Sequence, residues 1–283
     1  MSLSGKAAEP QAGDKKEIKI KGVDYTFRWC PAGTFTMGSP ESELENLDFT
    51  ASVIARSNEE MEAHVEEIRK SEKQHKVTLS KGFWILETEV TQKMWKEVMN
   101  ENPSEFKGDQ LPVEEVSWDD CQKYIVELNR LGTAPKGFKF SLPTEAQWEY
   151  ACRAGTTTMF NYSGNTLNGD KANCDGTKPY GTDTKGKFLK ETSNVGSYDA
   201  NIWGLYDMHG NVWEWCEDGY EDYPSDAVTD PNPNGKDSDS NRVLRGGSWD
   251  DYAWHCRSAS RGHNAPSIKG NNVGLRLVLV NEN

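Results

Sequence analysis

The chain has 283 residues and a net charge of −13; only 35% of it is hydrophobic, yet it holds ten Trp, ten Tyr and nine Phe. Aromatic anchors among polar loops make a globular domain rather than a disordered chain, and the length suits one large domain with an insertion as well as two domains. The acidic balance excludes a nucleic-acid binder and attraction to anionic membranes, and no run approaches the roughly 20 apolar residues of a transmembrane helix.

Residues 1–17 lack the apolar centre of a signal peptide and read as a flexible leader, so the folded domain is expected over 18–283. Residues 18–37 alternate Tyr25, Phe27 and Trp29 and are broken by Pro31 and Gly33, which predicts short strands with turns. Residues 40–74 carry Glu and Lys at helical spacing and read as a charged, solvated helical insertion. Residues 77–90 are strand-like. Thr91 then caps a helix to about Met99 that Asn102 and Pro103 stop.

Ser117 and Asp120 form a capping-box pattern for a helix over 118–131, whose buried face is Cys121, Tyr124, Ile125 and Leu128. Thr144 caps a third helix over 145–154, closed by Gly155. Loops dominate from there, with short strands around Trp213, 242–245 and 274–280. Three helices in a mostly irregular chain predict an α+β domain. None of the six cysteines forms a CxxC pair, which argues against structural zinc. Cys121 and Cys152 read as buried thiols, and one or two disulfides at most are expected, with the pairing open.

Several motifs occur in order: Gly33-Thr34-Phe35-Thr36-Met37-Gly38-Ser39, Leu142-Pro143-Thr144-Glu145-Ala146-Gln147-Trp148-Glu149, Gly210-Asn211-Val212-Trp213-Glu214-Trp215, Arg245-Gly246-Gly247-Ser248-Trp249 and Gly274-Leu275-Arg276. With them the chain resembles the formylglycine-generating-enzyme (sulfatase-modifying-factor) family from about residue 18 to 280. The resemblance implies a variant of the C-type lectin fold with little regular structure, two or three helices and a small twisted antiparallel sheet.

The family's enzymes oxidise a client cysteine with oxygen and a copper(I) ion held by two thiolates. Aligned here, the second thiolate is Cys256 but the first falls on Asp251, a hard ligand that cannot replace a thiolate for copper(I). An enzyme of that type is therefore not expected. A nucleophile–base pair of His255 and Cys256 is less economical than a structural Cys beside a surface His.

The segment 246–276 reads instead as a binding face. Between framework positions it mixes aromatic, Ser, Gly and Asn residues without helical or strand periodicity, as paratopes do. Glu, Gln and Met are missing from 250–272, and Lys appears once. Those residues cannot be reached from an Asn codon by changing its adenines, so the segment resembles the variable region of a diversity-generating retroelement protein.

The candidate variable contacts are Asp250, Asp251, Tyr252, His255, Ser260, Gly262, His263, Asn264, Ser267, Ile268, Gly270, Asn271 and Asn272, with Trp254 and Lys269 as fixed members. The expected partner is a protein or glycan, met outside the cytoplasm or at the cell surface, by a protein for which a monomer suffices. A non-variable interaction protein and an oxidoreductase on the same fold stay open as alternatives.

The resemblance also implies a structural calcium ion on Asp207, Glu214 and the carbonyls of Gly210 and Val212, with simple turn capping or Arg pairing as the alternative; the binding reading requires no cofactor. Trp213, Trp215 and Trp249 read as core anchors, Arg245, Arg257, Arg261 and Arg276 as braces for loops, and His209 as a loop histidine rather than a ligand.

Overall fold

A computed structural model describes residues 9–44, 66–162, 164–231 and 240–282. From the N-terminus, β1 (Lys15–Ile20) turns into β2 (Val23–Cys30), followed by β3 (Gly33–Met37) and a single helical turn, α1 (Glu41–Leu44). After β4 (His75–Leu79) and β5 (Phe83–Leu86) come α2 (Gln92–Met99), α3 (Trp118–Arg130), β6 (Phe138–Ser141) and α4 (Glu145–Arg153). A long irregular stretch leads to β7 (Trp213–Gly219), β8 (Val228–Thr229), β9 (Arg242–Arg245), β10 (Arg261–Asn264), β11 (Val273–Leu275) and β12 (Val278–Asn281).

The helix ends follow from their capping residues. Thr91 Oγ1 accepts from Met94 N–H at 3.2 Å, and both Ser117/Asp120 and Thr144/Gln147 form reciprocal capping boxes. The buried face of α3 is Cys121, Tyr124, Ile125 and Leu128, as its periodicity predicts. α2 stops earlier than Pro103 requires, because Asn100 takes the left-handed conformation (φ 61°) and its N–H bonds to Lys96.

The strands form three sheets, in orders β1-β2-β5-β12-β6, β10-β9-β7-β11 and β3-β4-β8. The mixed α+β class holds, but the single small antiparallel sheet expected is three sheets, two of which contain a parallel pair, β11 with β7 and β4 with β8. In the first sheet β5 is buried on both faces. Trp84 and Leu86 join the core under α2 and α3, while Phe83 and Ile85 join a second core beneath α4, built on Trp148 and Tyr150. Fully burying such side chains contributes roughly 1.5–3 kcal/mol each.

Two boundaries need correction. β1 begins at Lys15 and Gly13 N–H bonds to Trp29, so pairing with β2 draws the fold in ahead of residue 18. The insertion is not solvated throughout. Residues 45–65 lie outside the described residues, but Ile68 packs against Trp254, and Ser71 and Glu72 are buried.

Candidate functional site

The C-terminal segment rests on buried arginines, each answered by a carboxylate. Helix α4 presents Glu145 and Glu149 toward β9 and β10, a consequence of their i, i+4 spacing. Arg245 donates to Glu149 at 2.6 Å and Glu145 at 3.1 Å, and Arg261 donates twice to Glu145, at 2.6 and 2.9 Å. Burial alone would push the Glu145 carboxyl up, but Arg261 and Arg245 outweigh it and hold it below its ordinary range. Arg257 donates to Glu72 at 2.8 and 2.9 Å, to Ser39 at 2.9 Å and to the Trp254 carbonyl at 2.9 Å. Arg276 donates to Glu214, with a shortest contact of 2.7 Å, and to the Leu86 and Tyr206 carbonyls. All four arginines brace the segment, as expected.

The same geometry bears on calcium. Both Glu214 oxygens are taken by Arg276, and one also accepts from Trp148 Nε1 at 2.7 Å. Asp207 Oδ2 accepts from Gly196 N–H at 2.6 Å, and its other oxygen lies buried toward Glu89. A guanidinium thus occupies the position where the ion would gain its second carboxylate, and the set Asp207, Gly210, Val212 and Glu214 does not fit a calcium ion. Glu89 and Asp207 face each other as two buried acids. Burial first, then the charge of Asp207, raises Glu89, and burial pushes Asp207 up to about 6.

The candidate contacts fall into several groups. Asp250 is exposed, accepting from Ser248 Oγ at 2.7 Å and Asn272 Nδ2 at 3.1 Å, so the two ends of the segment meet there. Asn271 donates to Glu105 at 2.9 Å, while its carbonyl accepts from Trp249 Nε1 at 3.1 Å. Ser267, Ile268 and Lys269 are exposed on a turn tied to α3 by the bonds Asp119 N–H to Pro266 and Lys269 to Asp120. Gly270 accepts from Glu115 N–H at the end of that turn.

Residues 261–264 form β10, an edge strand paired with β9, where no strand periodicity was visible. Its signal is hidden because Arg261, Gly262, His263 and Asn264 are all polar or side-chain-free; pairing to β9, not apolar alternation, makes it a strand. His263 is exposed against Tyr220, with ring centroids 4.1 Å apart, and Gly262 sits over Trp213, where a Cβ would meet the ring at 3.2 Å.

Two members do not belong to an open surface. Ser260 is 3% exposed and Trp254 4% exposed, because both flank framework residues whose neighbours Ala259, Arg257 and Cys256 are fully enclosed. Trp254 and His255 lie on a 3-10 turn, Ala253–Cys256, with ring centroids 3.7 Å apart. Trp254 and Tyr252 instead form one wall of a groove of about 1000 Å³, whose other side is Met159, Lys178, Tyr180 and Asp183. Lys178 lies over the Tyr252 ring at 5.8 Å. That opposing wall comes from the irregular stretch after α4, where nothing in the sequence marked a contact with 250–254.

Three further residues organise the site. Trp213 is half-buried, and its indole donates to the Asp251 carboxylate while its amide bonds to the Asn272 carbonyl at 2.8 Å. It therefore underlies the face itself besides anchoring the core. Burial holds the Asp251 carboxyl up at about 6, against hydrogen bonds from Ser248 and Trp213. Asn211 joins the loops: its side chain bonds Glu89, Asn173 and Ser193, and its carbonyl accepts from Trp249 N–H. His209 accepts from Asn161 N–H at Nε2 (3.0 Å) and so donates from Nδ1 to the Cys256 carbonyl (2.7 Å). Burial lowers its pKa to about 4, which fits a neutral loop pin rather than a base or ligand.

A family model described as "Sulfatase-modifying factor enzyme 1-like domain" matches residues 26–280. The formylglycine-generating enzyme of Streptomyces coelicolor is 35% identical over 173 residues, 58% of this chain and 51% of that protein. The "Inactive C-alpha-formylglycine-generating enzyme 2" of Mus musculus is 33% identical over 174 residues, 59% of this chain and 48% of that one. This chain thus spans about half the length of each. Among solved structures, Treponema denticola variable protein 1 superposes with a TM-score of 0.74 at 24% identity, covering 93% of this chain and 98% of that one. The α+β fold is the formylglycine-generating type of C-type lectin fold that the motifs imply.

Proposed function

Because the chain belongs to the sulfatase-modifying factor enzyme 1-like family, whose fold is shared by proteins named as enzymes, as inactive and as variable, we propose that it is a non-enzymatic binding protein. Its working face is the segment 246–276, diversified at the codon level by a retroelement and presented to a protein or glycan outside the cytoplasm.

The observation that carries this reading is the division of labour within the segment. Arg257, Arg261 and Arg276 are held by buried carboxylates, whereas Asp250, His263, Ser267 and Ile268 point outward from the same stretch. A rigid bed under replaceable side chains binds at low ordering cost. The state of Asp251 supports the absence of copper chemistry. Its carboxylate is engaged by Ser248 and Trp213, and a hard oxygen at that position does not make a copper(I) site with Cys256.

The test is genomic and then biochemical. A near-copy of the segment's coding sequence, with Asn codons at the outward positions and a reverse-transcriptase gene beside it, is expected near this gene. An invariant segment across isolates would instead favour a fixed interaction protein. The oxidoreductase reading, favoured by the named enzyme relative, predicts oxygen-dependent conversion of a cysteine peptide by the copper-loaded chain; any such turnover overturns the binding reading.

A further inference from the structure

Cys174 and Cys256 stand 82 residues apart in sequence (256 − 174) yet share a small core cluster with Met159, Phe160 and Ala253. Both are buried, the Cys174 thiol is the foremost cause holding the Cys256 thiol above its ordinary range, and Cys256 Sγ also donates to the Tyr252 carbonyl at 3.9 Å. Cys174 is pinned on both sides by backbone bonds, and Cys256 is held through its carbonyl. Asn173 O accepts from Asn211 N–H and Asp175 N–H donates to Asp251 O, both at 2.8 Å, while Cys256 O accepts from His209 at 2.7 Å. Gly247 leaves the space the Cys256 thiol occupies, since a Cβ there would lie 2.6 Å from its sulfur.

Cys30, Cys152 and Cys216 belong to the core beneath α4 and not to this cluster. Cys152 spends its thiol on the Met208 carbonyl (3.7 Å) and Ser258 Oγ (3.6 Å), and Cys121 lies in a different core.

We propose that Cys174 and Cys256 are a disulfide-forming pair that ties the 168–188 loop to the base of the C-terminal segment. The oxidant is a low-molecular-weight disulfide. One protein thiolate attacks it, forming a mixed disulfide and releasing one small thiolate; the other protein thiolate then attacks that mixed disulfide and releases the second. Two electrons pass to the small disulfide, and the two protein thiols lose their protons. Because both thiols are enclosed and the neighbouring Cys174 thiol, together with burial, keeps Cys256 protonated, the bond forms while the chain folds rather than afterwards. The pairing does not depend on what the face binds. Its consequence is local: the groove wall that carries Lys178 and Tyr180 becomes covalently joined to the wall that carries Tyr252 and Trp254.

The full chain, reduced and unfolded, is refolded in a glutathione redox buffer, alkylated after denaturation, digested and mapped by mass spectrometry. The expected result is one cross-linked peptide pair, Cys174 with Cys256, lighter than its reduced parts by two hydrogen atoms, with the other four cysteines alkylated. The oxidised chain should melt at least about 4 °C above the reduced one, as closing a loop of this length implies, and C174A should abolish that difference. Six alkylated cysteines, a different pairing, or a metal held by the two thiols that blocks their oxidation would each overturn the proposal. The peptide map needs no variant, so it decides even if C174A fails to fold.

Discussion

Arg257 and Glu72 meet in a two-point bond, Nη1 to Oε2 at 2.8 Å and Nη2 to Oε1 at 2.9 Å, with both side chains out of solvent. Glu72 closes the charged insertion, and Arg257 lies in the middle of the C-terminal segment, so an element read as accessory holds the binding face from below. Substituting E72A would leave the buried guanidinium with Ser39, the Trp254 carbonyl and only a longer, 3.8 Å ion pair to Glu43. The expected loss is about 3–5 kcal/mol in urea unfolding at neutral pH. A loss under about 1 kcal/mol would mean the insertion's end is not coupled to the segment.

The Glu89–Asp207 pair sets a pH dependence. Asp207 is raised from 3.8 to about 6 in the folded protein, so between those values the native state binds more protons than the unfolded one. Its stabilising contribution is present below about pH 4 and is lost as pH rises through about 6. The raised Glu89 carboxyl acts in the same direction. D207N removes the titration while retaining an acceptor for Gly196 N–H. The difference in stability between D207N and wild type should therefore shift in the variant's favour by on the order of 3 kcal/mol from pH 4 to pH 8. Denaturant titrations at the two pH values measure it; a pH-independent difference would exclude the pair as the source.

His209 acts with the opposite sign and serves as a separate check. Burial lowers its pKa to about 4, so below the ordinary histidine value of 6.5 the unfolded chain takes up a proton that the folded one refuses, and stability falls as pH drops from 6.5 toward 4. Imidazole nitrogen NMR should show His209 neutral at pH 5.5 with its proton on Nδ1, the atom that donates to Cys256. A protonated ring at that pH would contradict its enclosure.

What the sequence disclosed and what it hid follow one rule. The capped helices were legible because Thr91, Ser117 and Thr144 act within three residues of themselves. The arginine braces were legible as residues, but their partners were not: Arg257 finds Glu72 185 positions away, and Arg276 finds Glu214 62 positions away. Strand β10 was hidden because its residues carry no apolar alternation, and the Lys178–Tyr180 wall because no local pattern joins it to Tyr252. Burial of Ser260 was missed for a related reason. A serine between framework Ala259 and Arg261 looks like a surface residue until the Arg245 bonds to the Ser258 and Ala259 carbonyls enclose it.

That distinction gives a graded prediction for the face. His263, Ser267 and Ile268 are exposed, and replacing any of them by Asn, Tyr or Asp should change stability by less than about 0.5 kcal/mol. Ser260 is enclosed, and S260Y must overpack its site at a cost of about 1–3 kcal/mol. G262A is intermediate: its Cβ would stand 3.2 Å from the Trp213 ring, so the ring must yield, and with it the indole bond to Asp251. Thermal melts of the five variants H263Y, S267N, I268D, G262A and S260Y should rank in that sense, with the first three indistinguishable from wild type. If S260Y is as benign as H263Y, the diversified surface extends under Arg245. If H263Y is as damaging as S260Y, β10 belongs to the scaffold and the replaceable face shrinks to its two flanks, 250–252 and 267–272.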